Sequence, residues 1–207
     1  SDKVFSLPES VVYDKKRDVC YVSNYYNGGN EFISKTSTNG RILDMQWISG
    51  LNMPTGMCIH SDSLYVIDRS GINVIDLNNS HVARKIVLPE IQSPNDIAVD
   101  QLGNFYISDP PTGNLFKYCN GKIEKWIDGL SGPNALLVDN EVLFVGENKQ
   151  INIINLSTKE IQATWHFEQS SIIDGICKLN NGNFLVSDFY GKLYILSTDG
   201  SVELLID

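Results

Sequence analysis

PNDIAVDQLGNFYISD, residues 94–109, carries a pattern that recurs along the whole chain. A polar residue, Asn95, opens it. A short apolar run follows, then a turn-forming stretch at 100–104, a second apolar run and a closing Asp109. Two apolar runs of strand length parted by Asp, Gly and Asn read as a β-hairpin. Four other segments align beneath it: PESVVYDKKRDVCYVSN (8–24), PTGMCIHSDSLYVID (54–68), PNALLVDNEVLFVGE (133–147) and IDGICKLNNGNFLVSD (173–188). Their opening residues, Glu9, Thr55, Asn95, Asn134 and Asp174, are 46, 40, 39 and 40 residues apart. The closing residues, Asn24, Asp68, Asp109, Glu147 and Asp188, follow at 15, 13, 14, 13 and 14 residues. A fixed period near 40 residues marks a repeat architecture.

After each closing residue a third strand is predicted, as at 73–77, 114–118 and 192–196, followed by a turn such as Asn120-Gly121 or Asp199-Gly200. The fourth strand then carries Trp47, Trp126 or Trp165, with Val87 and Leu205 near the equivalent places. A tryptophan recurring in one column is read as packing between neighbouring units rather than as a ligand contact. No segment keeps helical periodicity. Four short strands in about 40 residues make a propeller blade, which buries its faces only by stacking on its neighbours. The sequence therefore predicts an all-β fold, a single β-propeller domain over 1–207 with five repeats. Residues 3–7 resemble a spare fourth strand, while 202–206 already serves repeat five. That surplus predicts a six-bladed ring whose remaining strands follow Asp207; the alternative is a ring of five blades.

Composition narrows the function classes. Sixteen basic against 25 acidic residues give a formal charge of -9, and no Lys/Arg cluster suited to a phosphate backbone occurs. Nucleic acid is not an expected partner. No apolar run approaches the ~18 residues of a membrane helix, and the first ten residues lack a signal peptide's basic start and apolar stretch. Cys20, Cys58, Cys119 and Cys177 are widely spaced, each within a strand-like segment, and read as buried thiols rather than disulfides or zinc ligands. That favours a reducing compartment, such as the cytoplasm, over export with a leader removed.

In a propeller the innermost strands flank the axis, so their first residues are expected to converge on one channel mouth. Glu9 and Asp174 would bring carboxylates there, and Asn95 and Asn134 amide carbonyls. Oxygen donors of this kind suit Ca²⁺, Mg²⁺ or Mn²⁺ better than a thiolate-seeking metal, with Zn²⁺ a further candidate. Against this, Asn, Asp and Thr before a strand are ordinary turn formers, Pro-Asn above all. Both readings of the opening residues stand on sequence alone.

These motifs resemble those of the gluconolactonase, regucalcin and senescence-marker family of calcium-binding propellers, with paraoxonase-like lactonases more distant. Pro8-Glu9-Ser10 is similar to the family's opening Glu-Gly-Pro motif, and Ser93-Pro94-Asn95-Asp96 to its blade-three motif. Gly132-Pro133-Asn134-Ala135 resembles the Pro-Asn-Gly motif, and Ile173-Asp174-Gly175 the Asp-Gly motif. The resemblance implies Glu9, Asn134 and Asp174 as calcium ligands and Asn95 as a further ligand or substrate contact. It also implies Asp174 as catalytic base. Departures are Ser93, where many sugar lactonases have Arg, together with Ala135 and Ser10-Val11; they bear on substrate preference rather than on the metal set.

The expectation that follows is a metal-dependent hydrolase of a lactone or related cyclic ester, acting as a monomer on a small-molecule substrate. In it Asp174 takes a proton from water and Asn95 orients the substrate. Asp68, Asp109, Glu147 and Asp188 are read chiefly as strand-end residues, and Tyr25 and Tyr26 as rim or surface residues. His60, His81 and His166 occupy neither opening nor closing positions and are read as packing or surface residues. No G-x-S-x-G elbow or phosphate-cradling loop occurs. The rival reading is a non-enzymatic propeller that binds a protein or small ligand, with a structural cation.

Overall fold

The computed structural model describes residues 5–26 and 28–207. Twenty strands form five antiparallel four-stranded sheets, each with its strands paired in chain order. This is a β-propeller fold of five blades. Contacts group the chain into two compact units, Ser1–Ile97 and Ala98–Asp207.

The first unit holds blade one, β1 (Pro8–Asp14), β2 (Val19–Asn24), β3 (Glu31–Ser37) and β4 (Ile42–Leu51), and blade two, β5 (Met57–His60), β6 (Ser63–Asp68), β7 (Gly71–Asp76) and β8 (His81–Ile86). Blade three opens with β9 (Ile97–Val99), inside which the division falls, and continues with β10 (Phe105–Asp109), β11 (Asn114–Cys119) and β12 (Lys122–Ile127). The second unit goes on to blade four, β13 (Leu136–Asp139), β14 (Val142–Gly146), β15 (Gln150–Asn155) and β16 (Ile161–His166). Blade five is β17 (Ile173–Lys178), β18 (Phe184–Asp188), β19 (Leu193–Leu196) and β20 (Val202–Ile206).

The strand sequences explain their places. β6, β10 and β14 are apolar at successive positions and buried on both faces, as the middle of a stacked blade requires. β8 carries His81, Arg84 and Lys85 and is almost wholly exposed at a blade's outer edge, where charge also deters edge pairing. Short polar turns link the strands. At Asn120-Gly121 both residues hold positive φ, 50° and 79°, which is the hairpin geometry that Asn-Gly favours.

Side chains of adjacent blades interlock in each unit. In the first, Tyr21, Ile33, Leu64, Val66 and Ile75 form one core. In the second, Tyr106, Leu115, Leu136 and Leu143 join blades three and four, and Phe144, Ile173, Phe184 and Val186 join four and five. Each such buried side chain contributes about 1.5–3 kcal/mol. All three tryptophans lie in fourth strands and pack inward. Trp47 meets Tyr21 at 4.6 Å and donates to Ser80 Oγ of blade two, Trp126 meets Tyr106 at 4.8 Å, and Trp165 lies against Phe144 and Phe184. The column ends there, because Val87 and Leu205 are exposed.

Two expectations change. Residues 5–7 form a bend rather than a strand, with Leu7 at φ 49°, and 3–4 lie outside the described residues. The Ser6 N–H donates to Asn24 Oδ1 and the Leu7 carbonyl accepts from Tyr25 N–H. The segment therefore leads into blade one instead of forming the spare outer strand from which a sixth blade was inferred. The four cysteines are free thiols, as expected, but only Cys58 is buried. Cys177 is exposed because blade five presents the end of β17 to solvent.

Candidate functional site

The opening residues occupy two kinds of backbone. Thr55, Asn95 and Asn134 each stand two residues before their strand, whereas Glu9 and Asp174 lie within theirs. Both carboxylates coincide with irregularities of the first hairpin. Register shifts between Pro8 and Val11 and between Ile173 and Gly175 leave Glu9 and Asp174 outside the regular ladder. A bulge re-aims a side chain that would otherwise alternate with the pleat, and bulges concentrate at functional sites.

In the first unit, Thr55 N–H donates to the Ile67 carbonyl, and Gly56 N–H donates at 2.9 Å to the carbonyl of Asn95. The opening segments of blades two and three thus meet through their backbones. The contact is close enough that a Cβ on Gly56 would run into Asp96, so this position requires glycine. Thr55 is buried and its hydroxyl has no hydrogen-bond partner. Glu9 and Asn95 are half-buried.

In the second unit the side chains themselves meet. Asn134 Nδ2 donates to Asp174 Oδ1 at 3.0 Å, although 40 residues of chain part them. Asn134 is 8% exposed, and its Oδ1 is buried without a hydrogen-bond partner. Burial pushes the Asp174 carboxyl above its ordinary value. The hydrogen bond from Asn134 acts the other way, and the charge of Asp188 adds to the rise. A sequestered acceptor beside a half-buried carboxylate is costly unless something electropositive joins them. The two offer oxygen only, which fits a hard cation that completes its shell with water and suits a thiolate-seeking metal poorly. Among the described residues, no three His, Cys, Asp or Glu side chains group closely enough to hold a metal by themselves. The amide is therefore an essential member of any such donor set.

Four of the five closing residues prove to be braces. They accept from the segments leading into their own blades: Asn24 from Ser6 N–H at 2.9 Å, Asp68 from Asn52 N–H at 3.2 Å, Glu147 from Ser131 N–H at 2.6 Å and Asp188 from Ser170 Oγ at 3.3 Å. Their remaining capacity caps the next turn or the next strand. Asp68 takes Ser70, Asp188 takes the N–H groups of Tyr190 and Lys192, and Glu147 takes the Asn152 amide.

Gly146 was not singled out by sequence. It lies between Ala135 and Ile173, and a Cβ there would stand 2.7 Å from Ile173 Cγ2 and 3.0 Å from Ala135 Cβ. Its carbonyl accepts from Asn134 N–H at 2.8 Å, so the bare backbone at 146 lets the segments bearing Asn134 and Asp174 approach. Gly146 is the last residue of β14, where a glycine carries no local sign of close approach. The three histidines stand at the end of β5 (His60), the start of β8 (His81) and the end of β16 (His166). A cavity of about 730 Å³ in the second unit is lined by Asp100, Asn104, Lys117, Asp139 and Glu141 among others. It lies at the far end of β13 from Asn134.

Blades with this strand order define a β-propeller, and solved structures bear out the class. A gluconolactonase from Xanthomonas campestris superposes with a TM-score of 0.77 at 17% identity, over 98% of this chain and 76% of that one. Virginiamycin B lyase from Staphylococcus aureus gives 0.69 at 18% identity, over 99% and 71%. The WD40 β-propeller domain of Doa1 gives 0.71 at 14%, over 97% and 68%. At such identities the likeness is one of fold. No family model matches the sequence, and none of the curated proteins does.

Proposed function

We propose that the chain is a metal-dependent hydrolase of a lactone or related cyclic ester. The observation that carries this reading is the Asn134–Asp174 pair, a buried amide oxygen without a partner next to a carboxylate whose proton affinity burial has raised. Asn134 Oδ1 and Asp174 would hold the cation, Ca²⁺ by donor chemistry, with Mg²⁺ or Mn²⁺ as substitutes. A bound cation supplies polarisation of the ester carbonyl and neutralises the oxyanion charge. Asp174 accepts the proton of the attacking water, a task its raised proton affinity suits. Asn134 orients the carboxylate through its Nδ2–H. Glu9 and Asn95 keep the roles the family resemblance gives them, ligand and substrate contact. A gluconolactonase and a virginiamycin B lyase among the fold neighbours agree with a hydrolytic or lyase role.

Calorimetric titration with calcium tests the site. Wild type should bind, Asp174→Ala and Asn134→Ala should each weaken binding at least tenfold, and Glu9→Gln and Asn95→Ala in the same titration test those two assignments. Unchanged affinity in Asp174→Ala would remove that residue from the site. A panel of lactones and aryl esters, with and without chelator, then tests the chemistry. Turnover indifferent to chelation refutes the metal mechanism, and no turnover at all favours the non-enzymatic binding-module reading.

A further inference from the structure

Beside Asp174 the second unit presents two aromatic rings to solvent. Phe189 and Tyr190, 61% and 75% exposed, form the tip of the β18–β19 turn and stand edge to face with centroids 5.3 Å apart. Exposed apolar residues scattered singly are ordinary; two adjoining rings on one tight turn are a built feature. The turn is fixed on both sides. Asp188 Oδ1 accepts from the N–H groups of Tyr190 and Lys192, each at 3.0 Å, and Gly191 at φ 98° completes the reversal. Phe189 N–H donates at 3.0 Å to the carbonyl of Ile172, two residues before Asp174, and Ile173 pairs with Asp188. The rings are thus carried on backbone bonded to the segment that carries the carboxylate. In the same turn, blade three has Pro110-Pro111 and blade four Asn148-Lys149. Blade one carries Tyr25-Tyr26 in the same turn, so within the second unit, but not along the whole chain, the aromatic tip belongs to the blade with Asp174 alone.

We infer that Phe189 and Tyr190 are a specificity platform that receives an apolar, ring-bearing substituent of the substrate while its ester ring lies at Asp174. This rests on the hydrolase reading for the position of the ester ring. The substrate class is then an aryl-substituted lactone rather than a bare polyhydroxylated one. The short, pre-ordered turn favours such a contact, because little conformational freedom remains to be lost on binding, and an aromatic edge-to-face pair leaves a ring face open for stacking.

The test uses non-hydrolysable lactams, valerolactam and its phenyl-substituted derivative, titrated calorimetrically into the calcium-supplemented protein. Wild type is expected to bind the phenyl lactam about tenfold more tightly than the parent. Phe189→Ala/Tyr190→Ala should abolish that preference while leaving parent-lactam affinity and thermal midpoint unchanged, and Phe189→Tyr/Tyr190→Phe should retain it. Equal affinity of wild type for both lactams, no binding of either, or a preference that survives the double alanine variant overturns the inference. A platform-dependent preference in a protein that turns over no lactone would leave the inference standing and refute the hydrolase reading. Lactone turnover without the preference would do the reverse.

Discussion

Gly146→Ala is the substitution on which the geometry of the second unit can be judged. The added methyl carbon would stand 2.7 Å from Ile173 Cγ2, 2.9 Å from Ile173 Cβ and 3.0 Å from Ala135 Cβ. Carbon contacts are most favourable at about 3.5–4.0 Å, so the three are short by roughly 0.5–1.3 Å. Two of the three atoms are Cβ atoms rooted in backbone, and Ala135 and Ile173 are fully buried, so neither can swing aside. Overpacking of this kind costs about 1–3 kcal/mol. Removing glycine's freedom from the unfolded chain returns about 0.4–1 kcal/mol, since φ at 146 is not in the left-handed region. The net expectation is a loss of about 1–2 kcal/mol. At a urea slope of about 2 kcal/mol per M, the unfolding midpoint falls by about 0.5–1 M. Ile173→Leu moves the branching methyl away from Cβ and should recover part of that loss in a double-mutant cycle. The Asp174 carboxyl should titrate closer to its ordinary value in Gly146→Ala, followed by NMR, because forcing the segments apart relieves its burial. An unchanged or higher midpoint, together with an unaltered Asp174 titration, would refute the packing argument.

Three further outcomes are expected. A raised carboxyl value means that folded Asp174 holds its proton more tightly than the unfolded chain does, so its contribution to stability falls as pH climbs from about 4 through the folded-state value and stays low above it. Asp174→Asn should therefore be more stable than wild type at neutral pH, and the gap should close on acidification, as measured by denaturation across pH. Glu147→Gln sets an amide N–H₂ against either the Ser131 N–H or the Asn152 amide, both of which need an acceptor. It should lose about 2–3 kcal/mol by chemical denaturation, whereas exposed Glu141→Gln should lose almost nothing. Arg17 joins Asp14 at 3.0 Å to Asp62 of blade two at 2.8 Å, and also reaches Asn78 at 2.6 Å. Arg17→Ala should cost about 1–2 kcal/mol with a visible dependence on salt, and Lys125→Ala, which breaks only an exposed pair, should cost far less.

The blade pattern was legible because a repeated unit writes the same solution several times. Two apolar runs and their flanking polar residues recur at fixed spacing, and the tryptophan column marks the fourth strand. The meeting of Asn134 with Asp174 was legible for the same reason, since equivalent positions in successive blades adjoin. What spacing could not carry was local backbone. The bulges at Glu9 and Asp174 arise from register within a hairpin, which alternation alone does not encode. Gly146 is dictated by a side chain from the next blade, a long-range contact without a local mark. Residues 5–7 share the composition of a strand but are held by Asn24 and Tyr25, and tertiary hydrogen bonds override so weak a propensity. Exposure at Cys177, Val87 and Leu205 depends on which sheet faces meet a neighbour, something a strand's own sequence does not state.

The braces at the closing residues span only 16 to 18 positions of chain. Bonds of such short reach close inexpensively in entropy and form early. A hairpin fastened to its own leading segment has the makings of a cooperative folding unit. During synthesis, each could settle soon after leaving the ribosome, before the next has been translated. Hydrogen exchange pulsed along a refolding time course would then show protection arriving in steps of one repeat.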